Sequence, residues 1–255
     1  MSCIATENLR ILRTLHHMEA QRLGLKEVQG VASFKKLQSS LLPVQKKRLT
    51  ELSGDDYDNL LLNGSAISIA YSYPEEAIES IANGEEGSWD KKKWDVYAQA
   101  YKRLNAALNE TSRKIAAEFS GVAVTATTTG MTSTVTHVED YYPTVVSHRV
   151  AAELSGVGWR GKNELIVNPR FSCSIRLATI LTTTPIERTP PSSMSCGECR
   201  ACLDSCKFLT HKDKLDNYRE QCRRYMLYLN LDEEVCGKCI KACYTRSIFK
   251  DQFQL

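Results

Sequence analysis

The chain of 255 residues carries 33 Lys and Arg against 30 Asp and Glu, a formal net charge of +3, and ten cysteines. That length suits one large domain or a domain with a small appendage, and the slight positive balance allows an acidic partner without requiring nucleic acid. No run of about eighteen apolar residues occurs, which excludes a membrane-spanning helix.

From Glu7 to Leu23, the stripe Leu9, Leu12, Leu15 and Met18 predicts an amphipathic helix, on which the adjacent His16 and His17 read as surface residues. Gly24 ends it, and Val28–Ala32 suggests a short strand. Ser33–Leu52 is basic and helical in pattern, with Lys46-Lys47-Arg48 as a solvated face. Ala66–Tyr73 alternates small or polar with apolar residues up to Pro74, a strand that feeds a loop through Gly84, Gly87 and Trp89. Trp94, Tyr97, Tyr101, Leu104, Leu108, Ile115 and Phe119 then fall at helical spacing. This face is aromatic at its start, and the phenols of Tyr97 and Tyr101 become proton donors if they reach a cavity.

Val122–Val138 is β-branched and predicts two strands with a turn or bulge at Gly130. It leads into His137-Val-Glu139-Asp140-Tyr141-Tyr142-Pro143, which reads either as a proton-handling cluster or as a polar loop at a strand end. Ser147-His148-Arg149 follows, then Gly156-Val-Gly158-Trp159-Arg-Gly161-Lys162-Asn163, a loop whose backbone can approach a bulky flat ligand. It fails as a dinucleotide fingerprint, because the glycines follow a helical stretch and no acidic residue lies at the right distance beyond. Glu164–Asn168 and Ser174–Leu181 look like strands, and residues 182–195, with Pro185, Pro190 and Pro191, have a linker composition.

The cysteines carry the sharpest signal. Cys196, Cys199, Cys202 and Cys206 form C-x2-C-x2-C-x3-C, Cys236, Cys239 and Cys243 repeat its tail as C-x2-C-x3-C, and Cys222 stands between. In such runs a tight loop wraps three corners of a cubane and the cysteine after the three-residue gap ligates the neighbouring cluster. The spacing therefore assigns Cys196, Cys199, Cys202 and Cys243 to one [4Fe–4S] cluster, and Cys206, Cys222, Cys236 and Cys239 to another. Structural zinc sites use pairs of cysteines rather than such a triplet, and disulfides need an oxidising compartment, for which nothing at the N-terminus resembles a signal peptide. Oxygen-sensitive clusters point to the cytoplasm.

Together these residues resemble the epoxyqueuosine reductase family and its shorter relatives, iron–sulfur proteins akin to the core of corrinoid reductive dehalogenases. The carriers are the Gly156–Asn163 loop, the following Leu-Ile-Val-Asn-Pro169-Arg170-Phe171, and the cysteine pattern with Arg-Glu-Gln-Cys222-Arg-Arg-Tyr. The sequence departs from the family at Asp140, where Glu139-Asp140-Tyr-Tyr-Pro143 replaces V-D-x-x-P, and after Cys206 and Cys243, where Lys207 and Tyr244 replace proline. The resemblance implies an α+β domain over residues 1–190, related to flavin nitroreductases and cobalamin-processing proteins, and a ferredoxin-like module over 191–255. It implies a cobalamin between them, lined by Gly156, Gly158, Trp159, Gly161, Lys162 and Asn163, with Asp140, Tyr101 or His148 supplying a proton. The expected function is a low-potential reductase fed by an external donor such as ferredoxin or flavodoxin and acting on a small molecule or tRNA. The alternative is an electron-transfer protein that serves a partner enzyme, for which Lys207, Lys212, Lys214, Arg223, Arg224, Lys238 and Lys241 would dock an acidic partner.

Overall fold

The computed structural model describes residues 3–82, 90–126 and 135–246, so the expected loop at Gly84, Gly87 and Trp89 and the expected turn at Gly130 lie outside the described residues. Helix α1 (Cys3–Leu23) leads into strand β1 (Glu27–Ser33), α2 (Phe34–Ser40), α3 (Pro43–Ser53), α4 (Tyr57–Asn63) and β2 (Ser65–Ser72). After α5 (Glu75–Ser80) come the long α6 (Lys91–Glu118), β3 (Val122–Val124), the single turn α7 (Val138–Tyr141) and α8 (His148–Leu154). The short strands β4 (Trp159–Arg160) and β5 (Ile166–Val167) precede β6 (Ile175–Thr182). The cysteine-rich end folds as α9 (Ala201–Asp204), α10 (Lys207–Thr210), α11 (Tyr218–Leu229) and α12 (Lys238–Thr245). The architecture is a mixture of helix and sheet, as the α+β reading expects.

Strands β1, β2, β6 and β3 form one antiparallel sheet in that order, with Ile69 opposite both Gln29 and Ala178. Every residue of β2 is buried, because helices cover both faces. Ile67, Ile69 and Tyr71 face the core shared with α1 and α6, whereas Ala66 and Ala70 lie on the opposite face, where small side chains let Ala151 and Ala152 of α8 come close. That alternation of large and small residues makes β2 read as half-polar in sequence although it is central.

Two expectations are corrected here. The buried stripe of α1 is Leu9, Leu12, His16 and Ala20, so His16 is a core residue while Met18 is exposed. The His16 ring stacks 5.1 Å from that of Tyr71, and its Nδ1 bonds Gln29 Oε1 at 2.9 Å. The stretch expected as a linker is strapped along the domain, with Glu187 N donating to Ala5 O and Thr189 N to Val31 O.

Helix α6 joins the two parts of the chain. Its aliphatic end, Leu104, Leu108 and Ile115, packs in the main core, where each fully buried side chain contributes on the order of 1.5–3 kcal/mol. Its aromatic start meets the cysteine-rich end: Trp94 Nε1 donates to Cys236 O at 2.8 Å, and Asp95 Oδ1 accepts from Asp232 N at 2.8 Å. Gly237 takes a left-handed φ of +80°, and a Cβ there would sit 2.7 Å from Ile81 and 2.8 Å from Tyr97. Only glycine satisfies both the backbone angle and the close approach.

Candidate functional site

The cysteines of the last sixty residues fall into two neighbouring groups. Burial first, then the sulfurs of Cys243, Cys196 and Cys199, push the Cys202 thiol up to about 11. Burial, then Cys236 and Cys206, push Cys222 up to about 12, and Cys239 is driven up by burial and then by Cys236, Cys222, Cys206 and Cys202. Four mutually close, desolvated thiols are costly as thiolates unless a metal binds them, which is the donor chemistry that an iron–sulfur cluster requires. Among the described residues no three His, Cys, Asp or Glu side chains converge on a single metal ion. Ligands to one zinc must meet at a point, whereas the corners of a cubane are held apart. The donor chemistry of these thiols is compatible with iron–sulfur clusters.

A cavity of about 1200 Å³ lies between the sheet domain and the second of these groups. That exceeds the roughly 300–1,000 Å³ of ordinary ligand pockets. Cys206, Cys222, Cys236 and Cys239 all line it, and so do Tyr97, Tyr101 and Arg176 from the sheet domain. The Arg176 guanidinium stacks 4.3 Å from the centroid of the half-buried Tyr101 ring, and its Nε donates to Asn105 Oδ1 at 3.0 Å. Tyr73 and Tyr97 stack behind them with centroids 5.0 Å apart.

The glycine–tryptophan loop is placed differently from the expectation. A Cβ at Gly156, where φ is +72°, would strike Pro190 O at 2.1 Å; one at Gly158 would strike Val167 O at 2.2 Å, and one at Gly161 the Val167 Cγ2 at 2.7 Å. These glycines let the β4–β5 hairpin and the strap pack on the loop, so they face protein rather than the cavity. Trp159 and Lys162 reach toward the cysteines instead: Trp159 Nε1 donates to Cys196 Sγ at 3.4 Å and Lys162 Nζ to Gly197 O at 2.7 Å. Of the expected loop ligands, Asn163 does line the cavity, with Nδ2 donating to Cys173 Sγ at 3.4 Å.

The proton-donor candidates separate. Tyr101 lines the cavity. His148 also lines it, yet its Nε2 donates to Thr125 O at 2.9 Å and its Nδ1 accepts from Thr179 Oγ1 at 2.9 Å, and burial holds its pKa down to about 4. It is a neutral strut between α8 and β6. Asp140 is exposed on α7, outside the cavity lining, and its carboxylate accepts from His137 N at 2.9 Å to cap the turn. Of the cations expected to dock a partner, Arg223 pairs with Glu220 at 2.9 Å, Lys238 Nζ donates to Tyr225 OH at 2.8 Å, and Lys241 Nζ to Glu79 O at 2.8 Å, whereas Lys207, Lys214 and Arg224 are exposed.

Sequence reasoning missed Arg176, Cys173 and the charged group around Glu164. Cys173 Sγ sits 3.9 Å from Cys239 O, between the two cysteine groups. No periodicity marks such residues, because they come from segments far apart in the chain and meet only in the folded protein.

No protein-family model matches the chain. An epoxyqueuosine reductase from Listeria monocytogenes is 38% identical over 61 residues, 24% of this chain and 16% of that protein. One from Lactococcus garvieae is 27% identical over 202 residues, 74% of this chain and 52% of that protein. The chain thus spans about half or less of the length of these curated relatives. Among solved structures, a catabolic reductive dehalogenase superposes with a TM-score of 0.61 at 13% identity, over 94% of this chain and 32% of that one. An epoxyqueuosine reductase solved with a modified tRNA stem loop aligns with a TM-score of 0.40 at 22% identity, over 77% of this chain and 52% of that one. Among the described residues no helix is long and apolar enough to cross a membrane. By sequence the chain is similar to epoxyqueuosine reductases, and its fold resembles that of the reductive dehalogenase.

Proposed function

We propose that the chain is a low-potential reductase in which Cys196, Cys199, Cys202 and Cys243 hold an outer [4Fe–4S] cluster, Cys206, Cys222, Cys236 and Cys239 hold an inner one, and the cavity beside the inner group takes a corrinoid. The observation that carries this reading is that all four cysteines of the second group line the cavity with Tyr97, Tyr101 and Arg176. When bound, the clusters supply single electrons and the corrinoid relays them to an organic substrate. The protein's own part is to orient and to move a proton. Tyr101 holds that proton on its phenolic oxygen, and the Arg176 guanidinium stacked on its ring helps to hold the ring in place. Asn163 and the buried faces of Ile166 and Ile175 restrict water on the opposite wall.

An external electron donor and an RNA or small-molecule substrate belong to the same proposal, the RNA because one solved relative was captured with a tRNA stem loop. An electron carrier without its own substrate has no use for so large a cavity. The test is anaerobic oxidation of reduced methyl viologen by protein reconstituted with iron, sulfide and cobalamin, with an epoxyqueuosine-bearing stem loop offered as substrate. Cobalamin-dependent oxidation supports the reductase. Oxidation that needs only an added acceptor protein, with no effect of cobalamin, supports the carrier.

A further inference from the structure

Four cations from four elements gather around Glu164, and the three arginines among them line the cavity. Arg149 comes from α8, Arg160 from β4, Lys212 from the 3₁₀ turn Lys212–Lys214, and Arg219 from the start of α11. Arg149 Nη1 donates to the backbone oxygen of Glu164 at 2.6 Å. The Glu164 carboxylate is shared by the other three at long range: 3.7 Å to Arg160 Nη1, 3.9 Å to Lys212 Nζ and 3.9 Å to Arg219 Nη2. Those distances are Coulombic contacts and lie beyond hydrogen bonds. Arg160 also pairs with Glu153 at 2.8 Å, while Arg219 directs its other nitrogens to the hydroxyls of Tyr142 and Tyr218.

Four cations therefore meet two carboxylates, in a partly desolvated place. Burial first, and then the charges of Arg219 and Arg160, push Arg149 down to about 10, whereas for Arg219 burial is outweighed by hydrogen bonds to Tyr218 and Tyr142, which raise it. An arrangement of this kind is stabilised by an anion that reaches several guanidinium forks at once. A planar carboxylate suits one fork, whereas the tetrahedral oxygens of a phosphate meet forks that arrive from different elements. Arg149, Arg160, Glu164 and Arg219 all line the cavity, so the group is open to whatever enters it.

We propose that Arg149, Arg160, Arg219 and Lys212, gathered around Glu164, form an anion subsite that takes a phosphate group of the molecule entering the cavity. This rests on the reading of the cavity as a ligand chamber. The phosphate belongs either to the nucleotide tail of a corrinoid or to the substrate, and the chemistry of recognition is the same.

The test is calorimetric titration of inorganic phosphate into the full chain, reconstituted anaerobically with iron and sulfide, beside the Arg160→Gln, Arg219→Gln and Arg219→Lys variants. Saturable uptake by the wild type, weakened roughly tenfold or more in each Gln variant as loss of one charge-assisted hydrogen bond requires, is the expected result, with Arg219→Lys in between. Cobalamin and cobinamide, which lacks the nucleotide tail and its phosphodiester, identify the source. If the Gln variants lose cobalamin affinity and keep cobinamide affinity, the phosphate is the corrinoid's own; if both corrinoids bind the variants normally while inorganic phosphate does not, it is the substrate's. Absence of saturable phosphate uptake by the wild type, or equal uptake by the variants, overturns the subsite. Cobinamide binding to the wild type reports on the chamber alone, so its uptake without phosphate uptake removes the subsite and leaves the chamber reading intact, and phosphate uptake without any corrinoid does the reverse.

Discussion

Acidification should destabilise this fold through histidines buried in neutral form. The pKa of His16 is held down to about 4 by burial, opposed by the Gln29 hydrogen bond, against 6.5 for the free side chain. As pH falls, the unfolded chain takes up a proton near 6.5 while the folded chain takes one only near 4, so the unfolded state gains protons between those values and stability is lost across that window. At pH 5 the differential is about 1.5 pKa units, or about 2 kcal/mol relative to pH 8. His148, depressed to about 4 by its own burial, acts in the same direction. The assay is the guanidinium midpoint, followed anaerobically by circular dichroism between pH 8 and pH 5, for the wild type and His16→Asn. Asparagine retains a donor toward Gln29 but cannot titrate, so the variant starts about 1–2 kcal/mol lower at pH 8 from its cavity and loses roughly half as much on acidification. Equal losses in the two proteins would refute the neutral burial of His16.

Other outcomes follow from the site. Gly158→Val should lower the thermal midpoint sharply and cost about 3 kcal/mol or more, since its Cβ meets Val167 O at 2.2 Å; a variant that melts normally and loses only corrinoid uptake would restore the loop to the cavity. Cys222→Ala should lose about half of the iron measured by colorimetric assay, whereas Cys3→Ala, at an exposed position on α1, should lose none. Tyr101→Phe should leave cluster content and corrinoid uptake unchanged and lower turnover by roughly two orders of magnitude. Asp140→Asn should cost only about 0.5–1 kcal/mol of stability, as loss of a capping carboxylate does, and a larger fall in its turnover than in that of Tyr101→Phe would move the proton back to Asp140.

Local chemistry was legible in the sequence wherever it repeats. The apolar period of α6 was readable because the helix presents one face to the core, the extent of β2 because large and small residues alternate along it, and the cysteine spacings imply a local wrapping of each loop. Burial of His16 was not readable, because the histidine replaces an aliphatic residue at a core position and its reason lies across space in Tyr71 and Gln29. The stretch after Val122 has strong β propensity; among the described residues its strand β3 is Val122–Val124, paired with β6, and residues 127–134 lie outside the described residues. Glycines 156, 158 and 161 were read as leaving room for a flat ligand, but protein atoms take up that room. What approaches them, the strap at Pro190 and the hairpin at Val167, follows from tertiary packing that no local pattern encodes.

The central claim is that the second group of cysteines and the cavity beside it form one redox chamber. It is tested most directly by the visible spectrum of the anaerobically reconstituted protein as cobalamin is added. The account predicts broad iron–sulfur absorption with about eight iron and eight sulfide per chain, and a saturable change in the corrinoid bands at about one cobalamin per chain that disappears with the iron in Cys222→Ala. Protein that carries its full iron and leaves the cobalamin spectrum unchanged at saturating concentration would contradict it.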